Sequence, residues 1–285
     1  MRFDASVLRS NETVKLDPLK CADGSVPNVL LAEDSPAARI LTGALLKRIG
    51  CNVDAAEHGE EALDYVQNSS YDLILMDIEM PVMDGVVAAR EIRTLGGEVS
   101  KTPIIALSAF LADTKKSSHW HEYFDVALSK PAGKHQLHST IGKVLRTVPV
   151  SDRILESSNN NQPQPVGLID LFELQIIRGD LTASDWSSLL KTASDEMEMV
   201  SRKVSHCHVD GNLDGLGQAA HQLSGLAVSF AAKGLHKAAV SLRVVLKDGG
   251  GARSLEQGVK ATCEMARDSA QLLRQLSLAM KGSFV

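Results

Sequence analysis

Five side chains able to handle a phosphoryl group lie just beyond short apolar runs in the first half of the chain. Glu33 and Asp34 follow Asn28-Val-Leu-Leu-Ala32, Asp77 closes the run at 71–76, Ser108 follows 102–107 and Lys130 follows 125–128. If those runs are parallel strands of one sheet, all five groups reach the same edge. Three carboxylates together repel one another unless a cation or a proton compensates. Hard carboxylate oxygens that leave positions for water suit Mg²⁺, which then takes phosphate oxygens to complete its octahedron. Ser108 can donate a hydrogen bond to an incoming phosphoryl group, and Lys130 can set a positive charge on it. Singly, each residue also reads as a loop acid or a helix cap, Asp34 most easily because Ser35-Pro36 follows it. The set at successive strand ends is what points to chemistry.

The second candidate is His221. At 100° per residue, Leu216, Ala220, Leu223, Ala227 and Phe230 fall within about 80° of one another and form a buried stripe. His221 lies about 140° from Leu216, away from that stripe, and Gly225 one turn later lies at about 180°. A glycine inside a helix costs roughly 1 kcal/mol against alanine, so it calls for a reason. Close approach of another protein to an exposed imidazole is one; an incidental surface histidine fits the geometry equally well. His206-Cys207-His208 resembles a soft metal site but has no further ligand nearby in sequence, and reads as a solvated helix end.

These residues need elements to position them. Short apolar runs at 28–32, 51–54, 71–76, 102–107 and 125–128 read as five strands. Helical patterns at 37–49, 60–67, 85–94, 113–123 and 134–147 alternate with them. Strands separated by helices imply a parallel, doubly wound sheet covered on both faces, an α/β domain whose site lies beyond the carboxyl ends of its strands. The second half has no strand pattern. Segments 185–205, 213–232, 235–247 and 255–280 have helical spacing, a shorter helix precedes them at 168–177, and Asp210-Gly211 and Gly249-Gly-Gly251 mark breaks. Four such helices with short connections predict an antiparallel four-helix bundle.

Charge divides the chain in the same place. Residues 28–149 carry 12 basic and 16 acidic side chains, whereas residues 166–285 carry 13 of each. The polar stretch 157–165, rich in Asn and Pro, reads as linker. The expected organisation is an N-terminal extension at 1–27, an α/β domain at 28–149, a linker at 150–165 and an all-α domain at 166–285. The chain's 285 residues with a net charge of −5 disfavour a nucleic-acid binder, which needs a basic face. Four scattered cysteines read as reduced thiols, and no apolar run approaches the length of a membrane span, so the expectation is a cytoplasmic protein without direct membrane insertion.

The segments Val29-Leu-Leu-Ala-Glu-Asp-Ser35, Leu73-Ile-Leu-Met-Asp-Ile-Glu-Met-Pro-Val-Met-Asp-Gly85, Ala106-Leu-Ser-Ala109 and Leu128-Ser-Lys-Pro131 resemble the receiver domain of bacterial response regulators and hybrid sensor kinases. The resemblance implies that Asp77 accepts the phosphoryl group and that Glu33, Asp34 and the backbone carbonyl of Glu79 join it in holding Mg²⁺. It also implies that Ser108 and Lys130 contact the phosphoryl oxygens and that the Lys130–Pro131 bond is cis. Ala127 departs from the family, which usually has an aromatic switch residue there; that favours passing phosphate onward over signalling to an output surface. Ala220-His-Gln-Leu-Ser-Gly-Leu-Ala227 resembles the core of histidine phosphotransfer (HPt) domains, which implies that His221 carries phosphate. Ser224 stands where that family commonly has lysine.

Together the resemblances imply a two-component phosphorelay protein, like the C-terminal section of a hybrid histidine kinase. The expected partners are a sensor histidine kinase and a downstream response-regulator receiver. No Gly-rich nucleotide lid occurs, so the chain reads as a phosphoryl-transfer intermediary and not as an autonomous ATP-dependent kinase. The alternative is a non-enzymatic interaction module whose phosphorylation controls docking. A DNA-binding regulator is disfavoured, because the second half has no basic recognition helix.

Overall fold

The computed structural model describes residues 16–109, 122–146, 168–178 and 181–281. Its first half contains five parallel strands, β1 (Asn28–Ala32), β2 (Asn52–Ala56), β3 (Leu73–Asp77), β4 (Ile104–Ser108) and β5 (Val126–Ser129), in the order β2-β1-β3-β4-β5. Helices α1 (Pro36–Arg48), α2 (Gly59–Asn68), α3 (Gly85–Thr94) and α4 (Lys134–Arg146) connect or follow them. The helix expected at 113–123 and the stretch 157–165 lie outside the described residues, apart from a short turn at 122–123.

Alternation builds two layers on the sheet. Val29, Leu31, Leu73, Leu75, Ile105 and Leu107 point to the face where Leu41, Leu45, Leu137 and Ile141 of α1 and α4 pack. Leu30, Ala32, Ile74, Met76, Ile104 and Ala106 point to the other, against Ala62, Val66, Ala88 and Ile92 of α2 and α3. Because β3 and β4 are apolar on both faces, all their residues are buried, as a doubly covered parallel sheet requires. The strand order reverses direction between β1 and β3, and at such a switch point the adjacent loops part and leave a crevice at the carboxyl ends.

The second half is helical: α5 (Leu171–Arg178), α6 (Ala183–Val209), α7 (Leu213–Ser229), α8 (Lys233–Lys247) and α9 (Ala252–Lys281). Thr182 caps α6 by accepting from Asp185 N, and Asn212 caps α7 by accepting from Gly215 N. The expected stripe of α7, Leu216, Ala220, Leu223, Ala227 and Phe230, is fully buried. Helix α6 packs along α9, where Ser194 Oγ donates to Ala270 O at 2.8 Å and Ser187 Oγ donates to Ser277 O at 2.9 Å. The apolar cluster continues from Ala37 and Leu41 of α1 into Ile177, Leu189 and Leu226, so α1 forms the seam between the halves. Among the described residues, no helix is long and apolar enough to cross a membrane.

Candidate functional site

At the switch point, β1 delivers Glu33 and Asp34, and β3 ends on Asp77. Glu33, Asp34 and Asp77 each bring a carboxylate oxygen to within 4.8 Å of the others. The loop that carries the first two is fixed from behind: Arg39 Nη1 donates to Glu33 O at 2.7 Å, while its Nη2 pairs with Glu57 at 2.7 Å. Beyond β5, the Lys130–Pro131 bond is cis, and Lys130 Nζ donates to Asp77 Oδ2 at 2.7 Å and to Glu33 Oε2. Ser108 ends β4 one residue past Leu107, the register partner of Asp77, and is buried at the same edge. Glu79 N donates to Asp77 Oδ1 at 3.4 Å.

Burial sets the electrostatics here. It pushes the Glu33 carboxyl up to about 8 against the pull of Lys130, and neighbouring Asp77 adds to the rise. Burial and Asp77 likewise raise Asp34. Lys130 also loses solvation, but Asp77 and Glu33 outweigh that loss and hold the ammonium above its ordinary range. Three carboxylates thus share one lysine, and the raised Glu33 and Asp34 mark a crowding that a hard cation would relieve.

Replacing Lys130 by Met should leave Asp77 and Glu33 buried without their counter-charge. Breaking a buried pair by removing one partner costs about 3–5 kcal/mol. Urea unfolding without divalent metal should show that loss as a lower midpoint; an unchanged midpoint would mean that other groups compensate the carboxylates.

His221 faces this edge. Its Nδ1 lies 2.8 Å from Glu79 Oε2, a close polar contact without the direction of a full hydrogen bond. Arg243 Nη2 donates to the same Glu79 oxygen at 2.8 Å. Burial raises Glu79, but His221 and Arg243 outweigh it and leave the carboxyl below its ordinary value. Next to His221, Gln222 Nε2 donates to Asp34 Oδ2 at 3.1 Å. A cleft of about 1440 Å³ opens between the loop after β3 and helices α7 and α8, with His221 and Arg243 in its wall.

Two expectations change here. His221 is away from the helical core but not exposed: its side chain is 17% accessible, because the β3–α3 loop covers it. Gly225 does not serve this approach, since nothing lies within 4 Å of where its Cβ would be. The glycine that matters is Gly85, where a Cβ would come 1.9 Å from Asp77 O and push against the end of β3. Ser224 is buried and bonds His236 Nδ1 at 3.0 Å; the cation that shares Glu79 with His221 is Arg243, which local sequence spacing could not indicate. His206 pairs with Asp210 at 3.2 Å, and the only metal-capable cluster among the described residues is the acidic one.

A family model described as response regulator receiver domain matches residues 29–142. The gliding motility regulatory protein of Myxococcus xanthus is 46% identical over 88 residues, which is 31% of this chain and 11% of that protein. Sensor protein GacS of Pseudomonas syringae pv. syringae is 39% identical over 119 residues, 41% of this chain and 13% of GacS. Signal transduction histidine-protein kinase BarA of Escherichia coli is 28% identical over 198 residues, 69% of this chain and 21% of BarA. The chain thus spans at most about a fifth of these relatives' lengths. A solved receiver domain of a Pseudomonas aeruginosa sensor histidine kinase, described with a magnesium ion coordinated in its active site cleft, is 29% identical. That match covers 43% of this chain and 100% of that one, at a TM-score of 0.41.

Proposed function

Residues 29–142 being a response regulator receiver domain of two-component signalling, related to those of hybrid sensor kinases, we propose that the chain is a phosphorelay intermediary that carries phosphate on Asp77 and on His221. In this reading residues 166–285 are an HPt domain built as an antiparallel four-helix bundle, 150–165 is the linker and 1–27 an extension. One observation carries the proposal: the histidine singled out on α7 is seated on Glu79, two residues past the phosphoacceptor. The BarA match supports it, because 198 aligned residues run well beyond the receiver segment.

Asp77 Oδ attacks phosphorus in line with the leaving atom of the donor, a histidine nitrogen for a phosphohistidine or an oxygen for acetyl phosphate. The O–P bond forms as the donor bond breaks, and an acyl phosphate results on the carboxylate. Lys130 and Ser108 then hold the phosphoryl oxygens, Lys130 exchanging part of its pairing with Asp77 for the new charge. Glu33, Asp34, Asp77 and the Glu79 carbonyl are the groups that would hold Mg²⁺, which offsets charge on the transferring group when bound. In the onward step, a ring nitrogen of His221 attacks phosphorus, the N–P bond forms and the O–P bond breaks, returning the electron pair to the Asp77 carboxylate. Nδ1 is buried against the Glu79 carboxylate, so Nε2 is the nitrogen assigned to the attack. Arg243 supplies the cation that Ser224 does not. The phosphoryl donor is a histidine kinase and the onward acceptor another receiver; no step needs nucleic acid or insertion into a membrane, and the setting is the cytoplasm.

Incubation with labelled acetyl phosphate and Mg²⁺ tests the reading, because acyl phosphate is labile to base and phosphohistidine to acid. Both classes of label should appear on the unmutated chain. Base-labile label alone, at every time point, would instead favour a receiver whose phosphorylation controls docking. Asp34→Asn should weaken Mg²⁺ binding about tenfold or more, since one charged hard ligand is lost. A titration giving equal affinities would remove Asp34 from the site.

A further inference from the structure

Helix α1 begins directly after the acidic loop, and its first turn contains no acid of its own. Ser35 satisfies one orphan donor by accepting from Ala38 N at 3.2 Å. The donor beside it, Ala37 N, is satisfied by Glu196 Oε2 at 2.9 Å, from the middle of α6 and 159 residues away. Glu196 is a carboxylate only 9% exposed. Burial raises its pKa against the pull of Ala37 N and the Ser35 hydroxyl. A buried acid on a helix face costs solvation, and here the positive end of another helix offsets it.

The structure assigns to Glu196 a docking role: by completing the N-terminus of α1, it holds the helical half on the receiver so that His221 faces Asp77. This rests on the relay reading above, but the contact itself does not. Among the described residues, three other side chains make polar contacts across the same seam, His221, Gln222 and Arg243, and all end on Glu79 or Asp34. Asp34 is committed to the metal in the phosphorylating state, and His221 and Arg243 act on the phosphoryl group itself, so these three contacts must shift during transfer. Ala37 N takes no part in that chemistry. The Glu196 contact is therefore the polar one that can persist through transfer, and it sits on the helix that also carries the apolar seam at Ala37 and Leu41. Glu196 is thus a positioning residue, acting through α1 and not on the reacting atoms.

Amide hydrogen exchange and phosphotransfer on the full chain test this together. Ala37 N is the reporter, and Ala38 N, bonded to Ser35 within the receiver, is the reference. In Glu196→Ala, exchange at Ala37 should accelerate about tenfold with Ala38 little changed, because one charge-assisted hydrogen bond is lost. The rate of label appearing on His221, taken per chain phosphorylated at Asp77 in dilute protein, should fall by about the same factor. Glu196→Gln keeps an acceptor oxygen and should recover most of both. Unchanged exchange at Ala37 in the Ala variant would overturn the docking role. Faster exchange with an undiminished transfer rate would overturn the positioning role. An unmutated chain that never labels His221 would instead be a failure of the relay reading, with the exchange result still deciding whether Glu196 docks the halves.

Discussion

Asp77→Ala is expected to abolish Mg²⁺-dependent labelling of the receiver by acetyl phosphate while the protein stays folded. Asp77 is the carboxylate at the carboxyl end of β3 that shares an edge with Glu33, Asp34 and Lys130, and its Oδ2 lies 2.7 Å from the Lys130 ammonium. Ala cannot form an acyl phosphate, so the effect is a loss of the covalent step, not a shift in affinity. Removing one of the crowded carboxylates also relieves repulsion, since Asp77 contributes to the raised pKa of both Glu33 and Asp34. The variant should therefore fold, with Lys130 still paired to Glu33. Base-labile label at the unmutated level would exclude Asp77 as the acceptor.

His221→Gln should remove all acid-labile phosphate and leave the base-labile phosphate of the receiver in place. Gln has no nucleophilic ring nitrogen but keeps a polar group beside Glu79, so the seam through α1, α6 and α7 should hold. With onward transfer blocked, phosphate on Asp77 should also last longer under single-turnover conditions. Acid-labile label persisting in this variant would move the phosphohistidine elsewhere, with the exposed His135 and His206 the next candidates. Mixing phosphorylated His221→Gln with Asp77→Ala protein separates the routes: acid-labile label on the second chain would show exchange between chains.

Much of the receiver half is legible in sequence because its signals are local. Apolar runs such as 104–107 can be buried on both faces only in a covered parallel sheet, and the polar residue that ends each run marks the functional edge. Strand limits shift by one or two residues: β3 ends on Asp77 itself, and β2 extends to Ala56 as a largely exposed edge strand. The wheel of α7 correctly separates Leu216, Ala220 and Leu223 from His221, because helical period alone decides that. Periodicity cannot say what covers the other face. His221 looked exposed and Gly225 looked like the gap that admits a partner, yet the covering group is Glu79 and the space at Gly225 stays open. Glu196, Gln222 and Arg243 carried no signal for the same reason. Each is an ordinary polar residue on an amphipathic helix, and its role exists only once α1 lies across α6 and α7.

The central claim, that phosphate passes between Asp77 and His221 of one chain, is tested most directly by a pulse of labelled acetyl phosphate. After donor removal, acid-labile and base-labile label are followed over time at several protein concentrations. Docking through α1 places donor and acceptor in one body, which makes the transfer a unimolecular step. Acid-labile label should therefore rise as base-labile label falls, with a first-order rate that does not change when the protein is diluted tenfold. A rate that falls in proportion to protein concentration would contradict transfer within the chain, and no acid-labile label at any concentration would contradict the relay itself.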